Sequence, residues 1–180
     1  RAAVDRASVR VADGFGAIRA DDLVRRITWA MPAAIAFGTV PEALVVPYAA
    51  ADLGRSAAVA GVLAALVSAT ILVVAPLLPQ RSDEHGLVRR ACLVTLVGAV
   101  AAGALFAVGT SIVGALAAYT AVGLLFVGRI DLGTTMSVRL PDHLRASAFS
   151  LLDGFTSLGQ VITGLGAGAL ADVVGAQATF

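Results

Sequence analysis

The chain has 180 residues, of which 58% are hydrophobic and only 14% charged, with a mean hydropathy of +0.89 and a formal net charge of +1. A soluble domain is about one quarter charged, and a soluble helical bundle needs a polar stripe on each helix. Val59–Val74 offers only Ser68 and Thr70 as polar side chains, which argues against a water-soluble fold.

Residues 1–26 mix arginine with aspartate and read as a linker with some helical character. Val4, Val9, Val11 and Ile18 form a weak apolar face there, so a solvated linker and a membrane-surface anchor both fit. Beyond it come five apolar runs, roughly Ile27–Ala51, Ala57–Leu78, Ala91–Val108, Ile112–Gly128 and Ala146–Ala171. A helix rises about 1.5 Å per residue, so about 20 residues cross the hydrocarbon core of a bilayer. Only helices and closed barrels satisfy their own backbone in lipid. The spacing therefore predicts an all-α membrane protein with spans of about 27–51, 57–78, 87–108, 112–137 and 146–171. The third reaches full length by including Leu87 and Val88, and residues 172–180 read as the turn into a sixth span.

The connections are short. Asp52–Ser56 and Gly109–Ser111 are tight turns, with Ser56 and either Thr110 or Ser111 expected as N-caps. Pro79–Gly86 and Arg139–Arg145 are longer and charged, and Asp142 is expected to cap the fifth span after Pro141. All thirteen basic residues are arginine. Eleven fall before the first apolar run, between the second and third runs (Arg81, Arg89, Arg90) or between the fourth and fifth (Arg139, Arg145), against Arg55 alone on the opposite side, with Arg129 uncounted. Positively charged loops stay in the cytoplasm, which predicts a multi-pass protein of the cell membrane with a cytoplasmic amino end. The lone Cys92 falls within a span and gives no disulfide framework.

Ionisable groups at bilayer depth are costly and mark functional positions. Glu42 lies in the first span, directly after Pro41 and between Pro32 and Pro47. Proline removes a backbone donor and crowds the preceding turn, so this helix is expected to kink or break. Glu42 then suits either a coupling or solute site or the outer interface. In the fifth span Asp153, Thr156, Ser157 and Gln160 recur at i, i+3, i+4 and i+7, one helical face. This polar stripe fits a water-filled cavity wall, with interhelical hydrogen bonding as the other reading. Arg129 and Asp131 lie near the inner end of the fourth span, two residues apart and so on different faces. Arg129 is a candidate partner for Asp153 as a buried inner gate.

Three segments resemble the major facilitator superfamily of transporters. Gly168-Ala169-Leu170-Ala171-Asp172-Val173-Val174-Gly175 is similar to that family's G-x-L-A-D-x-x-G loop. Pro76–Arg81, followed by Gly86 and Arg89-Arg90, occupies the equivalent place after the second span. Leu140–Phe149 is similar to the loop before the family's eleventh helix. The resemblance implies that residues 27–180 form the seventh to eleventh of twelve helices, after a central linker. It implies gating roles for Gln80, Arg81, Arg89, Arg90 and Asp172, and an amino-terminal half of the same transporter as partner. Gln80 stands where the family favours aspartate, and Val173 where it has a basic residue.

No serine sits in a nucleophile elbow, no His/Cys/Glu group has metal-ligand spacing, and no phosphate-binding loop is present. Arginines are spread over loops without interleaved aromatics, so nucleic acid is not an expected partner. The expected function is secondary transport of a small solute, efflux or uptake, driven by a proton or other ion gradient without a bound cofactor. The alternative is a non-transporting membrane subunit or a permease component driven by a separate ATPase.

Overall fold

The structure, a computed structural model, describes residues 11–78, 84–108, 111–175 and 179. Among these residues six α-helices follow in order: α1 Val11–Ala20, α2 Asp22–Pro47, α3 Ala57–Leu77, α4 Glu84–Val108, α5 Ile112–Arg139 and α6 Asp142–Val174. No strand occurs among the described residues. The five helices from α2 to α6 are long and apolar enough to cross a membrane, the pattern of a multi-pass membrane protein.

α2 does not break at its prolines. It runs continuously through Pro32 and Pro41, then widens after Pro47 into one π-helical turn, Tyr48–Asp52, closed by the Leu53 amide donating to the Tyr48 carbonyl. The wider turn is a known accommodation in a helix whose regular ladder is interrupted. The expectation of a break within the span is corrected: the helix is continuous through Pro32 and Pro41 and widens only at its end. Tyr119 on α5 donates to the Pro41 carbonyl at 2.7 Å and ties the proline turn to its neighbour.

The turns are built as their residues dictate, with two exceptions. Gly54 takes φ 59°, the left-handed conformation that glycine adopts freely, and Ser111 Oγ accepts from the Gly114 amide at 3.0 Å. Ser56 occupies the N-cap position of α3 but its side chain makes no cap bond. Asp142 is not a cap. Pro141 holds that position, and Asp142 in the first turn pairs instead with Arg145 at 2.7 Å.

α5 is the hub, packed against α2, α3 and α4. In lipid, helices gain little from apolar burial and associate through close van der Waals packing at small residues. Gly128 faces the Ala91 carbonyl of α4, which would lie 2.8 Å from an added Cβ, and Gly123 faces the Val67 carbonyl of α3 at 2.9 Å. Gly98 of α4 faces the Ala121 carbonyl of α5 at 2.9 Å. Two clusters fill the spaces between. Tyr48, Leu63, Phe106, Tyr119 and Val122 pack at the end near Gly54, with Phe106 meeting both tyrosine rings edge-on. Ile18, Val24, Met31, Met136 and Leu152 pack at the opposite, arginine-rich end.

The stretch read as a linker carries an ordered element. α1 packs on α6, where Gly14 lies against Ser147 and Ile18 is buried in the second cluster. Ile18 thus meets protein rather than a membrane surface; Val4 and Val9 lie outside the described residues. Asp21 caps α2 by accepting from the Leu23 and Val24 amides at 2.9 and 3.0 Å.

Candidate functional site

Arg129 and Asp131 are two residues apart on α5, about 200° around a helix, and so face opposite sides. The structure gives each an ionic partner on a different helix.

Asp131 turns toward α4 and meets Arg90 in a two-point pair. Arg90 Nε donates to Oδ2 at 2.6 Å, and a second guanidinium nitrogen donates to Oδ1. Both side chains are largely withdrawn from solvent, 14% exposed for Arg90 and 11% for Asp131. The planar fork of arginine matches a carboxylate in this geometry. Arg90, a gating candidate, therefore staples two helices that are neighbours in the bundle.

Arg129 turns the other way and reaches Asp153 on α6 at 3.5 Å, through one nitrogen and one oxygen. The expected pairing is present, but the expected burial is not: the two side chains are 43% and 63% exposed. They stand at one level. Arg129 lies ten residues before the end of α5 and Asp153 eleven after the start of α6, about 15 Å into each helix. α5 continues to Arg139, which sets Arg129 deeper than a span-end position. The pair borders a cleft of about 350 Å³ whose apolar wall includes Met31, Ile71, Phe126, Phe149 and Leu152. Gly133 opens the floor, since an added Cβ there would meet nothing within 4 Å.

The polar stripe on α6 is split by packing. Asp153 and Ser157 are exposed and Gln160 is half-buried, whereas Thr156 is buried, its hydroxyl without a partner among the described residues. Thr156 and Ser157 are consecutive, so they lie about 100° apart around the helix, and Thr156 falls on the inward edge of the stripe. Glu42 is exposed on α2, eleven residues beyond Met31 of the cleft, about 16 Å farther along the helix. The structure does not bring it to the Arg129–Asp153 pair.

Of the remaining gating candidates, Gln80 and Arg81 lie outside the described residues. Arg89 is exposed and lines a second cleft with His85, Asp21 and Arg139. Asp172 is exposed in the last turn of α6, thirty residues from its start, and Gly175 ends that helix at φ 90°. It is therefore at the end of the bundle opposite the arginines.

Asp21 and Arg139 were not candidates from sequence, yet they join the start of α2 to the end of α5 at 2.8 Å. Burial raises the Asp21 pKa, but the Arg139 hydrogen bond and charge, with the Val24 and Leu23 amides, outweigh it and hold the carboxyl below its ordinary value. The available signal was an aspartate directly before a helix and a basic residue in a last turn. Among the described residues no group of His, Cys, Asp and Glu is placed to hold a metal. The chain matches no protein-family model, no curated protein and no solved structure.

Proposed function

We propose that the chain forms one half of a secondary transporter that moves a small solute by alternating access, of the kind the major facilitator superfamily resemblance implies. Its arginine-rich end would face the cytoplasm, and an ion gradient, most simply protons, would drive it. The observation that carries this reading is the Arg129–Asp153 pair, open to a cleft about 15 Å inside two membrane-length helices. Charges at that depth are expensive in lipid and belong beside water or protein. α6 supports the same reading. It packs chiefly on α2 and α1, and Leu158, Ile162 and Leu165 are 58%, 63% and 72% exposed. A second half-domain covering α6 would turn the cleft into a central cavity, and rocking of the halves would open it to either side.

The test uses the full-length protein in proteoliposomes, with solute-driven proton movement read by an entrapped pH dye over a solute panel. Asp153→Asn is expected to lower that flux about tenfold or more while leaving the protein folded. Flux that Asp153→Asn leaves intact removes the site. Flux that needs sodium and ignores a collapsed pH gradient removes the proton assignment. Cysteines placed at Arg55 and His85 should label from opposite faces of sealed vesicles; labelling from one face overturns the orientation.

A further inference from the structure

We infer that the Arg129–Asp153 cleft takes a zwitterionic solute with an apolar body, its anionic group on Arg129 and its cationic group on Asp153. This rests on the carrier reading for its context. It is carried by the contrast between the two ion pairs that α5 holds on opposite faces.

The Arg90–Asp131 pair is bonded at two points, short and enclosed. Both carboxylate oxygens are engaged, and the pair is closed off from a cleft where a ligand could meet it. The Arg129–Asp153 pair is bonded at one point, at a distance beyond the 2.7–2.9 Å usual for a charge-assisted hydrogen bond. Arg129 retains donors that the single bond to Asp153 leaves unused. Asp153 keeps its second oxygen, and both groups open onto the same cleft. A loose pair of this kind is exchangeable: a solute can replace one weak internal bond with two directed ones.

The charges then sort the solutes. A cation approaching Asp153 also meets the Arg129 guanidinium beside it, and an anion approaching Arg129 meets the Asp153 carboxylate. Only a solute carrying both signs, a few ångströms apart, satisfies both groups without leaving one charge opposed. The walls select the rest of the molecule. Met31, Ile71, Phe126, Phe149 and Leu152 offer apolar contact and two aromatic rings, so an aliphatic or aromatic body is favoured over a polyol.

Three probes of one skeleton separate the classes: L-phenylalanine as zwitterion, 3-phenylpropionate as anion and phenethylamine as cation. Binding is measured by calorimetry on the purified full-length protein. The zwitterion is expected to bind about tenfold or more tighter than either singly charged analogue. Arg129→Gln should reverse the order in favour of phenethylamine, and Asp153→Asn in favour of phenylpropionate. Arg129→Lys and Asp153→Glu should keep the zwitterion preference, which separates charge selection from loss of fold. Equal binding of the three probes, no binding of phenylalanine, or an order unmoved by the charge removals overturns the inference. Phenylalanine binding that follows these charge rules without flux in vesicles sinks the carrier reading and leaves the site standing. Flux of a singly charged solute that ignores both variants does the reverse.

Discussion

Removing the Asp131 charge should destabilise the bundle far more than removing the Asp153 charge, although both aspartates pair with arginine. Asp131→Asn leaves the Arg90 side chain only 14% exposed and removes the charge of the carboxylate that it grips at two points. Breaking a buried pair from one side costs about 3–5 kcal/mol, because the surviving charge remains without compensation. The same change at Asp153 removes a single 3.5 Å contact between side chains 43% and 63% exposed, a class worth about 0–1 kcal/mol. The expected difference between the two variants is therefore about 2–5 kcal/mol.

Reversible unfolding of the full-length protein by SDS titration, with helix content followed by circular dichroism, measures both. A double-mutant cycle completes the test. Arg90→Met with Asp131→Leu should recover most of the loss, since well-packed apolar residues often replace a buried pair at no cost. If Asp131→Asn falls within about 1 kcal/mol of the parent, or if the double variant shows the sum of the two single losses, the pair is not the enclosed staple described above.

Other outcomes follow from particular contacts. Gly128→Ala places a Cβ 2.8 Å from the Ala91 carbonyl and should cost about 1–3 kcal/mol by forcing α4 and α5 apart. Gly133→Ala, five residues on in the same helix and facing open space, should be neutral or slightly stabilising by the same unfolding assay. Asp21→Asn keeps a capping oxygen, since Asn caps about as well as Asp, but removes the charge paired with Arg139, and should lower stability by about 0–1 kcal/mol near neutral pH. Because the folded Asp21 carboxyl is held below its ordinary value, its contribution is present above the unfolded value, about 3.9, and is lost as pH falls through the folded one. The parent and Asp21→Asn should thus converge in strong acid, and a gap that persists there refutes the assignment. Tyr119→Phe removes the donor to the Pro41 carbonyl and should cost about 0.5–1.5 kcal/mol.

What the residues revealed unaided was set by local rules. Run length and the absence of polar stripes are properties of single helices, and five helices long and apolar enough to cross a membrane cover the five apolar runs. Ser111 caps α5 because capping is a contact over three residues. The errors were also local, and instructive. Ser56 sits at the start of α3 without using its hydroxyl, and Asp142 lies one position inside its helix. Proline in α2 was expected to kink or break a span. No break occurs: although neither Pro32 nor Pro41 can donate to the ladder, the helix continues through both and widens only after Pro47.

Partner identity is a different kind of information, and α5 shows why. That Arg129 and Asp131 face apart follows from helical geometry alone. That one meets α4 and the other α6 depends on how deeply the helices interlock, which Gly98, Gly123 and Gly128 set by admitting neighbouring backbone to about van der Waals contact. Had α4 been held farther off, Arg90 could not bring two nitrogens to Asp131. The enclosed pair and the open pair are thus one consequence of α5's asymmetry. Its glycine-bearing side draws α3 and α4 in close and seals Asp131. Its other side meets α6 only loosely, and so presents Arg129 and Asp153 to the cleft.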